Sequence, residues 1–287
     1  MKYRLIALDL DGTLLGPDHR VSDANVAAIL AAQAAGAMVV PCTGRGWRES
    51  VGWIANVTGL QFGVFNTGAV VVDMADGRAI DVAAYEPALA LELVEFLRDL
   101  PDAVLVYQEH GRTGREYLVT GDGRLMDNTR RWFEMNDIRY LEQRHPREAD
   151  LHHCLRVGVV VGGEMAFDVE RRVTRHFADR VDLHCFPGVP TAADPSRDRV
   201  FIVEIFPKGV NKWRGVAWLA EQHGIDPAQV ATVGDEINDT AMIRHAGLGV
   251  AMGNARDAIK QLADRQTLPH VEDGVAHAIR QMLAGHW

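Results

Sequence analysis

The chain has 287 residues, room for one large domain or two modest ones, and its 47% hydrophobic and 24% charged content is that of an ordinary globular protein. With 30 Lys and Arg against 39 Asp and Glu the net charge is −9, the opposite of what neutralises a phosphate backbone, so no nucleic-acid partner is expected. No apolar run approaches bilayer length, and residues 5–8 are too few for the apolar region of a signal peptide; the expectation is no membrane partner and a cytoplasmic location.

In chain order, residues 4–8 form a short apolar run that fits a buried strand. Ser22 and Asp23 offer N-caps to an Ala-rich helix over 24–35, which Gly36 closes. Residues 37–42 read as a second strand and 46–57 as a second helix. The same alternation returns late, with strands at 200–206, 229–233 and 248–251 and helices at 211–223 and 237–246. Between them the texture changes: strands at 103–108, 115–119 and 154–161, turn signals, and helices at 87–100, 125–135 and 164–178. The pattern predicts an α/β protein with a doubly wound, Rossmann-like parallel-sheet core and an inserted α+β cap domain. The predicted boundaries are 1–81 for the first part of the core, 82–198 for the cap and 199–287 for the second part of the core. Cys42, Cys154 and Cys185 are too widely spaced for a disulfide framework or a zinc cluster and read as unreactive, buried thiols.

Four clusters carry chemistry, each where a predicted strand ends. In DLDGTLL at 9–15, Asp9 and Asp11 stand at i and i+2, on one side of an extended chain, and Gly12 permits a sharp turn. Such a pair can hold a hard cation, or divide nucleophilic and acid/base work. A calcium loop of the EF-hand type would place Gly sixth and Glu twelfth; here the fourth position is Gly12 and the twelfth is Arg20. Thr43, Gly44 and Arg45 supply a hydroxyl, an open backbone and a forked cation beside a helix start, which suits a phosphate. Lys208-Gly-Val-Asn-Lys212 offers a lysine to neutralise phosphoryl charge. In GDEIND at 234–239, Asp235, Asn238 and Asp239 put three oxygen-bearing side chains on one loop, suited to magnesium, although an acidic helix start would also explain them.

These motifs, together with GVAMGNA at 249–255, the Ala-Asp pair at 263–264 and EDGVAHAI at 272–279, resemble the haloacid dehalogenase-like superfamily, in particular its Cof-type phosphatase branch. The resemblance spans both ends of the chain and implies a magnesium-dependent phosphatase acting on a small phosphorylated metabolite, sugar phosphates first. It implies Asp9 as the nucleophile that becomes an aspartyl-phosphate, and Asp11 as the acid/base. Thr43 would hydrogen-bond the transferring phosphoryl group and Lys212 would neutralise it. The resemblance further implies Mg2+ held by Asp9, the Asp11 carbonyl and Asp235, with Asn238 and Asp239 in support. Gly44 and Arg45 are expected to help bind phosphate.

The chain departs from the family where Asn66-Thr-Gly-Ala69 replaces the usual Asn-Gly-Ala, where Glu236 adds a charge to the acidic loop, and where Trp213 follows the lysine. The stretch between Thr43 and Lys212 is far longer than one crossover connection, which is the ground for the cap. Its Gly-rich segment at 110–115 and the His152-His153 pair could touch substrate, but a surface turn and strand-edge histidines are the preferred reading, and Trp53, Trp132, Trp213 and Trp218 read as packing residues rather than a binding box. Two other functions share the scaffold: a phosphomutase or phosphotransferase, and a catalytically idle regulatory protein. Retention of Asp9, Asp11, Thr43, Lys212 and Asp235 together disfavours the idle one.

Overall fold

The computed structural model describes residues 2–188 and 200–287. The chain divides into two compact units: one holds the segments up to Val82 and from Asn211 onward, the other the segment Ala83–Val210. The first segment contains β1 (Leu5–Leu8), α1 (Asp23–Ala34), β2 (Met38–Pro41), α2 (Trp47–Ser50), β3 (Phe62–Phe65), β4 (Val70–Asp73) and β5 (Arg78–Val82). The second unit contains α3 (Pro87–Leu97), β6 (Val104–Gln108), α4 (His110–Thr113), β7 (Tyr117–Thr120), α5 (Asp127–Met135), β8 (Tyr140–Glu142), β9 (Cys154–Gly162), α6 (Gly163–Phe177), β10 (Val181–Pro187) and β11 (Val200–Pro207). The chain then returns to the first unit with α7 (Lys212–Gln222), β12 (Val230–Gly234), α8 (Thr240–His245), β13 (Leu248–Ala251), α9 (Asp257–Leu262), β14 (Arg265–Gln266) and α10 (Gly274–Leu283).

The first unit is built on a parallel sheet of order β14-β13-β12-β1-β2. Its interior strand β1 is apolar at every position and fully buried, as a strand covered on both faces must be. Ser22 caps α1 by accepting a hydrogen bond from the Asn25 amide at 3.1 Å. Asn25 in turn accepts from the Ala276 amide at 2.9 Å, tying α1 to α10. Because β1 is flanked by β2 on one side and β12 on the other, strand order reverses at its carboxyl end, the place where open α/β sheets receive ligands. Beyond β2, an antiparallel β3-β4-β5 meander continues the unit, joined through a Cys42–Val64 bridge. The α/β architecture with a parallel core and an inserted α+β unit is the one the sequence predicts.

The second unit has a six-stranded sheet of order β10-β11-β9-β6-β7-β8, antiparallel except for the β7–β8 pair. Alternate residues Val157, Val159 and Val161 of β9 pack with Val203 and Ile205 of β11 against α3 and α6, the period-2 pattern of a sheet covered on that face. Its ring cluster includes Trp132 against Tyr117 and Phe133, a packing role as expected. Among the described residues, no helix is long and apolar enough to cross a membrane.

Two expectations change. The strand at 200–206, read with the core, pairs antiparallel with β9 and β10 and belongs to the second unit. An apolar run alone does not reveal which sheet will recruit it. The second unit therefore extends to Val210; the expected boundary at 198/199 lies outside the described residues. The helix expected over 46–57 is helical only at Trp47–Ser50. There the Ser50 hydroxyl donates to the Gly46 carbonyl at 2.9 Å, and the following bonds, Trp53 to Ser50 and Val57 to Ile54, are i→i−3 turns.

Candidate active site

Asp9 follows β1 directly, and its amide donates to the Val233 carbonyl of β12 at 3.0 Å, so the ladder carries the residue to the end of the sheet. Gly12 takes φ +74°, and a Cβ there would lie 2.4 Å from Asp235 Oδ2. Only glycine allows the DLDGT turn to close onto the loop after β12. Thr13 completes that closure by donating to Asp235 Oδ1 at 3.0 Å. Asn254 donates to the Gly12 carbonyl at 2.8 Å.

Lys212 opens α7. Its placement depends on the 66–68 turn, because a Cβ on Gly68 would lie 1.9 Å from the Asn211 carbonyl oxygen. The lysine is completely buried, and its Nζ donates to Asp9 Oδ1 at 2.5 Å and to Asp239 Oδ1 at 2.6 Å. Burial by itself would lower the pKa of this ammonium, but the Asp239 and Asp9 carboxylates outweigh it and hold the lysine charged. Asp239 has its other oxygen occupied as well: Oδ2 accepts from the Asp235 amide at 2.8 Å and the Glu236 amide at 3.0 Å. Asp239 is thus a buried brace for both the lysine and the acidic loop. The helix expected over 237–246 is present over 237–245, its first turn, Ile237–Asp239, tightened to 3-10 before α8.

Burial pushes the Asp9 carboxyl well above the usual range; Lys212 opposes the shift, and Asp239 and Asp235 add to it. The Asp235 carboxyl is pushed up to about 6, by burial first and Asp239 next, against the hydrogen bond from Thr13. Carboxylate oxygens of Asp9, Asp235 and Asp239 lie within 4.8 Å of one another. One lysine facing three converging carboxylates leaves a surplus of negative charge at hard oxygen donors, and this donor set fits a small divalent cation. With Asp239 fully engaged, Asp9 and Asp235 are the side chains suited to bind it.

Thr43 is buried after β2; its amide donates to the Val64 carbonyl at 2.9 Å, and its Oγ1 accepts from the Arg45 amide at 3.2 Å. Gly44 sits beneath two side chains, since a Cβ there would lie 3.4 Å from Thr67 Oγ1 and 3.6 Å from Asn238 Nδ2. Arg45 forms a fork on Asp11, with Nε to Oδ2 at 2.7 Å and Nη2 to Oδ1 at 2.9 Å. Its guanidinium carbon lies 4.4 Å above the Trp53 ring.

The first unit therefore brings Asp9, Asp11, Thr43, Gly44, Arg45, Lys212, Asp235, Asn238 and Asp239 to one end of its sheet. Lys208 is not with them: it is an exposed residue of the second unit, paired with Asp182 at 2.6 Å. Thr13 and Asn254, which lie inside the motifs DLDGTLL and GVAMGNA, were not assigned roles by sequence reasoning. Asn66 and Thr67 carry a stronger signal: both are buried with φ of +48° and +55°, and a β-branched residue at positive φ is a true outlier. The Asn66 and Asn238 side-chain carbonyls are buried without a hydrogen-bond partner among the described residues. Of the thiols, Cys42 and Cys154 are buried and Cys185 half-buried, and burial pushes all three up, away from reactivity.

Comparison with known proteins bears on this constellation. A family model described as haloacid dehalogenase-like hydrolase matches residues 6–279. The 5-amino-6-(5-phospho-D-ribitylamino)uracil phosphatase of Bacillus subtilis is 30% identical over 285 residues, covering 99% of this chain and 95% of the relative. The HMP-PP phosphatase of Serratia proteamaculans is 29% identical, covering 98% and 96%. A haloacid dehalogenase-like hydrolase from Bacteroides thetaiotaomicron superposes with a TM-score of 0.75 over 98% of this chain and 99% of that one, at 24% identity, a likeness of fold.

Proposed function

This chain belongs to the haloacid dehalogenase-like hydrolases, and on that footing we propose that it is a magnesium-dependent phosphatase of small phosphorylated metabolites that works through Asp9. The observation that carries the reading is the buried Lys212 ammonium, 2.5 Å from Asp9 and 2.6 Å from Asp239, at the carboxyl end of a parallel sheet. A fixed cation there offsets the repulsion between a dianionic ester and the carboxylate that must attack it.

In this reading an Asp9 oxygen bonds to phosphorus, and the ester P–O bond breaks with its electron pair on the departing oxygen. Asp11 gives that oxygen a proton, so that an alcohol leaves. Asp11, now a carboxylate, takes a proton from the water that hydrolyses the aspartyl-phosphate. The Thr43 hydroxyl and the open backbone at Gly44 hold the phosphoryl oxygens, and Lys212 balances their charge. Mg2+ would be held by Asp9, the Asp11 carbonyl and Asp235, and when bound supplies Lewis-acid stabilisation of phosphoryl charge. Asp239 keeps Lys212 and the Asp235 loop in place, with Asn238 beside it.

The relatives' names point to small phosphorylated metabolites, one of them bearing a phosphorylated ribityl chain. All the chemical groups above lie in the first unit, so we assign recognition of the rest of the substrate to the second, in the manner of a cap. Phosphate release from a panel of sugar and ribityl phosphates with Mg2+, and without any acceptor alcohol, tests the reading. Release that needs an added sugar acceptor would instead identify a phosphotransferase, and release undiminished in excess EDTA would remove the metal.

A further inference from the structure

The sequence offers Arg45 as a phosphate ligand, but its guanidinium is already committed elsewhere. It grips both oxygens of Asp11 in a fork, at 2.7 and 2.9 Å. Asp11 needs such a grip. It sits in a turn before the φ +74° glycine, its side chain is 44% exposed, and Arg45 is the partner the structure gives its carboxyl group. A short, exposed carboxyl side chain otherwise samples several rotamers.

Arg45 is itself held at both ends. Its amide donates to Thr43 Oγ1 at 3.2 Å and its carbonyl accepts from the Asn66 amide at 2.9 Å. Its guanidinium lies on the Trp53 ring, which is stacked with His19 at 5.0 Å. Trp53 packs in turn on the hydrophobic core. The chain of contact thus runs from the core through Trp53 and Arg45 to the Asp11 carboxyl group. A carboxyl group has about four lone-pair positions, and a fork uses one on each oxygen. A second position on each oxygen stays open for a proton.

We propose that Arg45, seated on Trp53, is a positioning residue that fixes the Asp11 carboxyl for proton transfer to the leaving oxygen. The inference rests on the phosphatase reading and on Asp11 as its acid. In the step concerned, Asp9 bonds to phosphorus, the P–O ester bond breaks, and the Asp11 proton passes to the released oxygen. Loss of alignment in a proton transfer costs rate in proportion to how much the departing oxygen needs the proton. Esters of basic alcohols therefore depend on the fork, and esters whose leaving oxygen is already a stable anion depend on it little.

The test compares benzyl phosphate with p-nitrophenyl phosphate, two small aromatic esters that differ mainly in leaving-group basicity. The quantity measured is kcat/KM, which covers events only up to departure of the alcohol. In Arg45→Ala the benzyl to nitrophenyl ratio of kcat/KM should fall at least tenfold. Arg45→Lys, which keeps the charge and loses the fork, should show the same fall. Trp53→Leu should move the ratio the same way by a smaller factor, and Trp53→Phe should restore most of it. Asp11→Asn should show the signature fully, and adding Arg45→Ala to it should not lower the ratio further. Thermal melts of each variant identify any that fail to fold; the Arg45 side chain is 31% exposed, and its variants are expected to fold. Equal losses on the two esters, or rescue by lysine, would overturn the proposal and return Arg45 to direct phosphoryl binding. A wild-type protein that releases phosphate from neither ester nor from any of the sugar and ribityl phosphates would overturn the phosphatase reading, and this inference with it.

Discussion

The two lysines of KGVNK provide the sharpest test of the site. Lys212 is fully buried 2.5 Å from Asp9 and 2.6 Å from Asp239, whereas Lys208 is exposed and paired with Asp182. At an effective dielectric of about 20, each of the Lys212 pairs has a gross attraction of about 6 kcal/mol. Most of that offsets the desolvation of the buried charges, so the net effect of deleting one partner is about 3–5 kcal/mol. Lys212→Met should fall at the low end, about 3 kcal/mol, because the Asp9 and Asp235 carboxyls are already raised and can relieve the surplus charge by binding a proton. In a unit of this size that is a fall in Tm on the order of 10 °C. In the proposed mechanism the same ammonium stabilises the transferring phosphoryl group, so kcat/KM should fall about 10²–10³-fold, mainly through kcat. Lys208→Ala removes an exposed pair worth about 0–1 kcal/mol, and kcat/KM on p-nitrophenyl phosphate should stay within about threefold. Continuous phosphate release and a thermal melt on both variants suffice. Equal kinetic losses, or a Lys212→Met protein with near wild-type kcat, would refute the role given to Lys212.

Three further outcomes are expected. Asp9→Asn is nearly isosteric, keeps an oxygen acceptor for Lys212 and leaves Asp239 to neutralise the ammonium, so it should lose several orders of magnitude in turnover while its Tm stays within a few degrees; substantial residual turnover in a pure preparation would take the nucleophile's role from Asp9. Asp235 titrates at about 6 when folded against 3.8 for an ordinary Asp, and Asp9 is raised too, so the metal-free fold takes up protons as pH falls. The Asp235 contribution to stability is present below about pH 4 and is lost as pH rises through about 6. Metal needs the ionised forms, so the Tm gain on adding Mg2+ should be larger at pH 7.5 than at pH 5, and the reverse order would contradict these two ligands. Thr67→Asn, at φ +55°, should raise Tm by a few degrees, since Asn tolerates the left-handed region and strain there costs about 1–2 kcal/mol; a lower Tm would mean that Thr67 packing outweighs the strain.

The core of the site was legible because chemistry and topology coincide in short motifs. Asp9, Thr43 and Asp235 each follow an apolar strand, and strand ends of a parallel sheet converge in space whatever separates them in sequence. The choice of Lys212 over Lys208 came from resemblance; the structure brings Lys212 to Asp9 at 2.5 Å. The ladder to which 200–206 belongs was not legible, because pairing depends on the register of distant strands such as β9. The strained conformations of Asn66 and Thr67 were equally hidden, since a polar pair before Gly68 reads as an ordinary turn. Nor does sequence spacing place Arg45 on Asp11 or Trp53 beneath Arg45.

Asp239 illustrates what geometry adds to composition. In GDEIND it stands as one more oxygen donor beside Asp235 and Asn238, and a count of carboxylates would make it a metal ligand. Yet Oδ1 accepts from Lys212 and Oδ2 from two backbone amides, while a Cβ on Gly234 would lie 2.5 Å from Asp239 Cγ and Oδ2. A carboxylate this fully satisfied gains little by turning to a cation, because each bond it gives up would leave a buried donor unpaired. The three converging aspartates therefore divide by their partners. In the proposed mechanism Asp9 and Asp235 serve the reaction, while Asp239 holds the lysine and the acidic loop in place.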